Sequence, residues 1–558
     1  MTDGVPALYQ DILSLLRFID PRDSSKLLLA SDAKSVREHP TFIYVMALLD
    51  TYIINLTATQ SFDVSEDGDE PPSTLLWTMY LKSHLQEKAR LFVGALATAE
   101  KCIEHTSTAL DMHVLKARLM KGSGDIIAAS EILENCRKLD LQDRYLNNQA
   151  TKYLLQANFV TQAIGTIGMF TKDEGDPLQT LFDLQCSWYE LEAAKAYARN
   201  KNWAMALKNF YAVQRHFNDY IEDLFDFHAF CLKKTTLRAY SDMIVMLDSV
   251  FSHKFFQAAA NGAITILLHL IDHPEDTDGL GHLSAAERKK ERAKIKKRKE
   301  REEKEREINA ALLGGTDAGD EVGSKRKKDD DPTGEKLLQR NFLAEAGVWS
   351  SQILSDVSRS SPEVLGLVSE VMLRKGKMVL SSRALFAGLR KGPSASGYLA
   401  PTLVKFALKI NELSGKSGSS TSVKSVVLDV VMAELKLFVP DCNVSAYVES
   451  LVASLETNPN LVNLVAASKC LILVDKSGGA KRAAALFASR GNEAFSDVAT
   501  TLSNALAACE YLHTTAALKA EVDVNAFFAK ALQIFPLSLQ LKSKFSMPKI
   551  DGGNVVHD

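Results

Sequence analysis

Leucine and alanine recur at helical spacing along almost the whole chain, whereas alternating strand patterns are hard to find. Apolar residues three and four positions apart line one side of an α-helix, so the pattern predicts helices throughout. Three alanines in similar local contexts, Ala95, Ala129 and Ala163, follow one another at intervals of 34 residues. This period is typical of tetratricopeptide repeats, in which each unit is a pair of helices. The pattern therefore predicts an all-α fold, a tetratricopeptide-like helical-repeat superhelix.

Turn signals separate the helices of the predicted pairs. Gly124 follows the first helix of the middle unit, where a glycine tolerates the positive φ that ends a helix. Lys201 and Asn202 form the turn of a later unit. In the second half of the chain, Ser361 precedes a proline that suits the first turn of a helix, and Met378–Leu389 is predicted as the next helix.

A charged segment divides the predicted repeats. The 558 residues are too many for a single core, which indicates several domains or a solenoid. We predict tetratricopeptide-like repeats over residues 1–275, a charged and partly disordered linker over 276–334, and a C-terminal helical repeat region over 335–558. The linker holds too few apolar residues to bury a core, so we interpret it as an exposed helix that grades into disorder.

Cysteine usage and the N-terminus point to a cytoplasmic protein. The seven cysteines form no CxxC pair, which argues against a zinc site and favours thiols in a reducing compartment. The first residues lack the charged-then-apolar design of a signal peptide. No apolar run reaches the roughly 18 residues that span a bilayer, and the longest candidate, 264–271, is interrupted by His269. We therefore expect cytoplasmic localisation and no membrane partner.

The linker begins with a strongly basic run. Residues 288–301 hold ten basic and two acidic residues, although the formal net charge of the chain is only −3. Such a run suits electrostatic contact with phosphate, as in a ribosome tether, a nucleic-acid contact or a nuclear localisation signal; it also suits a solvated charged helix. The candidate ribosome or nucleic-acid contacts are Arg288, Lys289, Lys290, Lys296, Lys297, Arg298 and Lys299.

A second basic cluster is dense in aromatic residues and falls on two helices that should be neighbours. Its basic residues are Lys208, Arg215, His216, Lys233, Lys234 and Arg238. Two antiparallel helices could direct these groups at one polyanion, because guanidinium and ammonium groups form strong hydrogen bonds with phosphate. The alternative is that they pair with the nearby carboxylates of Glu222, Asp223 and Asp226.

Familiar catalytic and metal motifs do not occur in the sequence. It contains no P-loop, no GxSxG motif and no cysteine–histidine signature of a nucleophilic enzyme. His269 and His273 lie four residues apart, but the intervening Leu-Ile-Asp lacks the glutamate of a metalloprotease helix. We predict no catalytic residue and no metal ligand, and an enzyme with an unfamiliar site stays an alternative.

A series of short motifs follows one another in an order that is specific to one family. The motifs are EPPSTLLW (70–77), KLDLQDRY (138–145), QCSW (185–188), DFH (226–228), KKTTLRAY (233–240), HKFF (253–256) and LIDHP (270–274). This order resembles the auxiliary, large subunit of the N-terminal acetyltransferase A (NatA) complex. The resemblance is strong up to residue 274 and mostly architectural from residue 336 onwards.

The resemblance implies a function and partners. It implies a non-catalytic scaffold that wraps and shapes a catalytic subunit of the GNAT fold and docks it on the ribosome. From the charge of the basic linker, we also expect contact with rRNA. Acetyl-coenzyme A would be bound by that partner and not by this chain. The resemblance also implies an inositol hexakisphosphate pocket, assigned here to the basic cluster of residues 208–238 together with Tyr240.

The sequence departs from the family at its start. Family members usually carry several more repeats ahead of the segment that corresponds to residues 4–6, so we expect this chain to lack the N-terminal repeats. Two other classes of function stay open. One is a tetratricopeptide adaptor that binds acidic C-termini, which would need a basic clamp in the groove of the early repeats. The other is an RNA-associated scaffold that uses residues 288–301.

Overall fold

The helical prediction can be compared with a computed structural model of the chain. The structure describes residues 8–20, 23–29, 33–63, 70–171, 176–234, 236–278, 290, 293, 331–415, 425–457, 459–475, 478–495, 500–519, 522–538 and 541–542.

Helices dominate the described residues on both sides of the charged segment. Those before it are α1 (Leu8–Leu15), α2 (Ala33–Glu38), α3 (Pro40–Thr59), α4 (Pro72–Lys88), α5 (Phe92–His105), α6 (Leu110–Ser123), α7 (Ile126–Leu139), α8 (Arg144–Gln156), α9 (Val160–Gly168), α10 (Pro177–Asp183), α11 (Ser187–Arg199), α12 (Trp203–Glu222), α13 (Leu224–Lys234), α14 (Leu237–Leu247) and α15 (Lys254–Asp272). Those after it are α16 (Phe342–Ser355), α17 (Pro362–Arg374), α18 (Met378–Leu389), α19 (Pro393–Gly415), α20 (Ser425–Leu435), α21 (Val444–Thr457), α22 (Leu461–Val474), α23 (Gly479–Ala494), α24 (Leu502–Thr514), α25 (Ala516–Lys519) and α26 (Val524–Ile534).

The 34-residue period corresponds to real helix pairs. Ala95, Ala129 and Ala163 lie on α5, α7 and α9, the second helices of successive pairs, and each is completely buried. A methyl group at these positions allows the two helices of a pair to approach closely. Helix α12 carries Ala206 in the same way, also completely buried. The prediction of stacked helix pairs is therefore confirmed.

The turns inside the pairs share one backbone conformation. Arg90, Gly124 and Asn158 follow α4, α6 and α8 at the same 34-residue interval, with φ values of 55°, 109° and 69°. A left-handed residue ends an α-helix by turning the chain sharply out of the helical path. Lys201 does the same after α11 with φ 57°, and Asn202 then caps α12 by accepting a hydrogen bond from the backbone N–H of Met205. Both predicted turns are confirmed.

A short β-hairpin was not foreseen. Strands β1 (Arg17–Asp20) and β2 (Asp23–Leu29) pair antiparallel, with Phe18 opposite Leu28 and Ile19 opposite Leu27. The hairpin is tied to the start of α3 by His39, whose Nε2 lies 3.1 Å from the carbonyl oxygen of Arg17. Within the described residues it is the only departure from an otherwise helical fold.

By its internal contacts the chain divides into two compact units. The first comprises residues 1–157, 165–170 and 392–558, and the second comprises residues 158–164 and 171–391. In the first unit the C-terminal helices pack on the turns of the early repeats: Arg90 Nη1 donates to the carbonyl oxygen of Thr500 at 2.8 Å. A Cβ atom on Gly124 would lie 2.8 Å from the Cα atom of Ser538, so only glycine permits this approach.

The second unit is built around α15. Its core includes the fully buried side chains of Phe210, Phe256 and Trp349, from α12, α15 and α16. Gly262 faces Phe210 so closely that a Cβ atom there would lie 2.1 Å from the ring. Beyond the charged segment the chain returns to this core. Helix α17 begins at the predicted cap, where the side chain of Ser361 accepts a hydrogen bond from the backbone N–H of Val364. Helix α18 has the predicted bounds.

Two of the described helices, α3 and α15, are long and apolar enough by length and composition to cross a membrane. This corrects the expectation that no apolar stretch has the necessary length, because a single charged or polar residue such as Asp50 or His269 does not offset the surrounding apolar residues. More than half of the apolar window of α15 is buried in protein, 56%, as in a core helix, whereas only 17% of that of α3 is buried. The division into residues 1–275, 276–334 and 335–558 stays a prediction.

Candidate functional site

Three of the predicted anion-binding cations meet at one turn. Lys233 and Lys234 lie in the last turn of α13, Arg238 lies in the first turn of α14, and all three side chains are exposed. Tyr240 helps to hold this turn together, because its hydroxyl lies 2.7 Å from Nδ1 of His228 on α13. We call this group of three cations the α13–α14 basic turn.

Exposed apolar side chains lie along the two helices that meet at the α13–α14 basic turn. Phe230 on α13 is 53% exposed, and Leu237 and Val245 on α14 are 61% and 62% exposed. Exposed large apolar residues near charged groups are typical of surfaces that bind another protein. The exposed sides of α13 and α14 are therefore suited to a partner, and the basic turn between them to an anion.

Arg215 is exposed but already has two contacts. Its Nε lies 3.8 Å from a carboxylate oxygen of Asp219, one turn further along α12, and its guanidinium lies 5.6 Å from the ring centre of Phe182. The side chain is 69% exposed, so the ion pair is screened by water and contributes little to stability. This exposure leaves Arg215 accessible to an anionic ligand.

His216 faces the interior and does not belong with the exposed cations. It is only 5% exposed, and its Nε2 lies 2.7 Å from Oε1 of Glu190 on α11. Burial raises the pKa of Glu190, and the hydrogen bond from His216 opposes that shift. The structure therefore places His216 in the packing between α11 and α12. Adjacent positions of a helix point in different directions, so His216 is buried although Arg215 is exposed.

Lys208 is directed at the backbone at the end of the charged segment. Its Nζ donates to the carbonyl oxygens of Asp331 and Pro332 at 2.8 and 3.0 Å. Of the predicted nucleic-acid contacts, Lys290 is within the described residues, where it is helical and exposed. The other candidates, Arg288, Lys289, Lys296, Lys297, Arg298 and Lys299, lie outside the described residues.

A polar cluster in the early repeats was not predicted from the sequence. Arg118 on α6 forms two hydrogen bonds with the carboxylate of Glu87 on α4, both 2.6 Å long, and its Nη2 lies 3.0 Å from Nδ1 of His84. Burial lowers the pKa of His84 to about 3, and the positive charge of Arg118 adds to the effect. The signal was available, because His84 and Arg118 occupy equivalent positions of successive repeats, 34 residues apart.

Tyrosines enclose this cluster. The rings of Tyr9 and Tyr80 lie 4.7 and 4.5 Å from that of His84, and burial raises the pKa of each hydroxyl to about 12. An adaptor that binds acidic C-termini would need its basic groups available to a carboxylate from outside. Here Glu87 already supplies the carboxylate for Arg118, so the geometry does not favour that alternative at this position.

Two histidines and two cysteines elsewhere in the chain pack against neighbouring groups or are buried. His269 and His273 stack with ring centres 4.4 Å apart, and His269 Nε2 lies 3.1 Å from Asp276. Over the ranges that the structure describes, no group of three or more histidines, cysteines or carboxylates is placed to hold a metal ion. Burial raises the pKa of the Cys102 and Cys470 thiols to about 12, which suppresses the nucleophilic thiolate.

Comparison with known proteins identifies relatives for most of the chain. Residues 31–387 match the family of the auxiliary subunit of N-terminal acetyltransferase A. The chain is 35% identical over 436 residues to the N-terminal acetyltransferase A complex auxiliary subunit NAA15 of Arabidopsis thaliana. This alignment covers 77% of this chain and 46% of that protein. It is 29% identical over 451 residues to the mouse NatA auxiliary subunit N-alpha-acetyltransferase 16, and this alignment covers 78% of this chain and 50% of that protein.

A solved structure supports the same relationship. The structure of Naa15/Naa10 bound to HypK-THB aligns with a TM-score of 0.55 and 28% identity, over 78% of this chain and 53% of the other. The chain thus spans about half the length of the relatives that it matches.

Proposed function

The chain belongs to the family of auxiliary subunits of N-terminal acetyltransferase A, and on that premise we propose that it is the non-catalytic scaffold of a protein N-terminal acetyltransferase. In this function it holds a catalytic subunit of the GNAT fold and shapes its active site. The catalytic subunit binds acetyl-coenzyme A and performs the transfer. The observation that carries the proposal is the family match over residues 31–387, which runs from before α3 to α18.

The architecture supports a scaffold because it offers surface and rigidity. Successive helix pairs bury small residues at their crossings and expose the remaining faces, so a stack of such pairs presents a long binding surface. A related solved structure has Naa15 bound to Naa10. We propose that this chain binds its catalytic subunit in a comparable complex.

The exposed sides of α13 and α14 are the part of this scaffold that we assign to the catalytic subunit. Phe230, Leu237 and Val245 are more than half exposed on these two helices, which are joined by the α13–α14 basic turn. An aspartate placed at Val245 would bury an unpaired carboxylate in the complex, and we expect the affinity to fall at least about 10-fold because the charge loses its hydration.

The experiment compares two substitutions of one type. Val245→Asp changes the proposed surface, and Val426→Asp changes a valine of similar exposure, 68%, on α20 in the other unit. Binding of each purified variant to a NatA-type catalytic subunit is measured by isothermal titration calorimetry, together with the N-terminal sequences that the mixture acetylates. Weaker binding by the first variant alone supports the surface. Absence of binding by the wild-type chain, with no change in the sequences acetylated, would refute the scaffold function.

The same turn is the proposed site of inositol hexakisphosphate. Lys233, Lys234 and Arg238 supply three exposed positive charges, with Arg215 as a fourth on α12. A polyphosphate that contacts several of them would stabilise the fold by mass action. We expect the ligand to raise the melting temperature of the wild-type protein, and Lys234→Glu to reduce this increase. Lys138→Glu, at an exposed lysine of α7, is the control; equal increases in all three proteins would remove the site.

We further propose that the complex acts in the cytoplasm on ribosomes and that the basic run of residues 288–301 contacts rRNA. Ten basic residues in that run would make ribosome binding strongly dependent on salt. Deletion of the run is expected to weaken co-sedimentation with ribosomes at low salt and to leave binding of the catalytic subunit unchanged. Unchanged co-sedimentation after the deletion would exclude the run as the contact.

A further inference from the structure

Helix α20 in the first unit is apolar on two opposite sides. Its inner side carries Leu428, Val431 and Leu435, which are all buried, and the helix packs on α19. Its outer side is also apolar, although it is exposed. A helix that is hydrophobic all round is normally buried all round, whereas a surface helix has a polar outer side. The outer side of α20 therefore has the composition of an interface.

Four apolar residues form a stripe along this outer side. Val426, Val430 and Leu437 are more than half exposed, and Ala433 between them is exposed as well. Successive members are four, three and four residues apart, so they line one side of the helix and of the turn that continues it. A small residue in the middle of such a stripe lets a second helix approach closely. We call these four residues the α20 stripe.

Two residues of opposite charge flank the α20 stripe on one edge. Asp429 and Lys436 are both exposed, and they are seven residues apart, which is two helical turns. The backbone N–H of Lys436 donates to the carbonyl oxygen of Met432, so helical bonding extends to this lysine. Within the part of the chain that the structure describes, neither charge has an ion-pair partner. Glu434 is half-buried on the other edge of the stripe.

This pattern is complementary to itself in one orientation. When two copies of the α20 stripe lie antiparallel about a two-fold axis, the start of each stripe faces the end of the other, and Ala433 lies near the centre. Asp429 and Lys436 are about equally far from that centre in opposite directions, so Asp429 of one copy meets Lys436 of the other. The symmetry makes this ion pair twice. A parallel two-fold pair would put the charges on opposite edges and leave them unpaired.

We propose that a second copy of this chain binds at the α20 stripe, so that two α20 helices form the centre of a symmetric antiparallel dimer. The contact removes the exposed apolar side chains from water and gives both charges a partner. A second copy is the occupant that these charges favour, because the stripe supplies its own complement. Helix α20 lies beyond the family match over residues 31–387, and the dimer does not depend on the proposed function.

The test measures self-association of the full chain by sedimentation velocity over a range of protein concentrations. We expect the wild type to dimerise with a dissociation constant below about 100 μM. Val430→Asp would bury an unpaired carboxylate from each copy, and we expect it to weaken the dimer at least about 10-fold. Val348→Asp is the matched control, because this valine on α16 is 52% exposed and Val430 is 56% exposed. The control is expected to leave the dimer unchanged.

An exchange of the two charges tests the antiparallel pairing. Asp429→Lys alone would bring lysines together, and Lys436→Asp alone would bring carboxylates together, so each is expected to weaken the dimer about 10-fold at low salt. The double variant Asp429→Lys/Lys436→Asp restores opposite charges and is expected to dimerise like the wild type. The proposal is overturned if the wild type stays monomeric, if Val430→Asp dimerises equally well, or if the double variant is no better than the single ones. An equal loss in Val348→Asp would also overturn it, because the effect would not depend on α20.

Discussion

Acid is expected to destabilise the early repeats through His84. The imidazole is 7% exposed on α4, its Nδ1 lies 3.0 Å from Nη2 of Arg118, and the rings of Tyr9 and Tyr80 lie against it. A proton on this ring would have to be buried beside a guanidinium. For that reason the pKa of His84 in the folded protein is lowered from 6.5 to about 3, mainly by burial and further by Arg118.

The size of the effect follows from the two pKa values. Between pH 6.5 and about pH 3 the unfolded chain binds a proton at His84 and the folded chain does not. The folded state therefore keeps its full stability above pH 6.5 and loses stability as the pH falls, by about 1.4 kcal/mol per pH unit for one such group. At pH 5 the contribution amounts to a loss of about 2 kcal/mol.

The assay compares the wild type with His84→Gln. Glutamine does not titrate in this range, and its side-chain oxygen can accept a hydrogen bond from Arg118 in place of Nδ1. Urea unfolding of both proteins is followed by circular dichroism at pH 7, 6 and 5. Other histidines affect both proteins equally, so the difference between the two isolates His84. We expect the wild type to lose more stability than the variant between pH 7 and pH 5. Parallel pH dependence in the two proteins would refute the assignment of a buried, neutral imidazole.

Substitutions of three glycines provide further predictions. Gly262→Ala would place a Cβ atom 2.1 Å from the buried ring of Phe210, and we expect a loss of about 1–3 kcal/mol in the free energy of unfolding. The matched Gly165→Ala, whose Cβ would meet no atom within 4 Å on helix α9, is expected to be neutral or stabilising by up to about 1 kcal/mol; equal losses would contradict the packing of α12 on α15. Gly124→Ala adds a strained φ of 109° and a Cβ atom 2.7 Å from that of Ser538. We expect limited proteolysis with mass spectrometry to cleave the C-terminal helices faster in that variant, and unchanged cleavage would contradict their packing on the repeat turns.

The repeats could be predicted because their determinants are local and periodic. Ala95, Ala129 and Ala163 recur at one interval, and each is buried at the same kind of helix crossing. The cap at Ser361 and the helix Met378–Leu389 also depend only on residues within one or two turns, so the sequence was sufficient for them. Similar local logic would have found the pair His84 and Arg118 if equivalent repeat positions had been compared.

Contacts between distant segments could not be predicted in this way. The bond from Arg90 to Thr500 joins residues 410 positions apart, and no local pattern records that a C-terminal segment covers an early turn. The hairpin at residues 17–29 was missed because its first strand has only four residues. The sequence placed His216 beside Arg215 among the anion-binding residues, but adjacent positions of a helix point in different directions, and His216 points inward to Glu190.

The most direct test of the scaffold function is native mass spectrometry of this chain co-expressed with a NatA-type catalytic subunit, combined with an acetylation assay on the separated proteins. The account predicts a stable complex of one copy of each chain and no acetyl transfer by this chain alone. Acetyl transfer by the isolated chain, or its recovery without the catalytic subunit, would contradict the account.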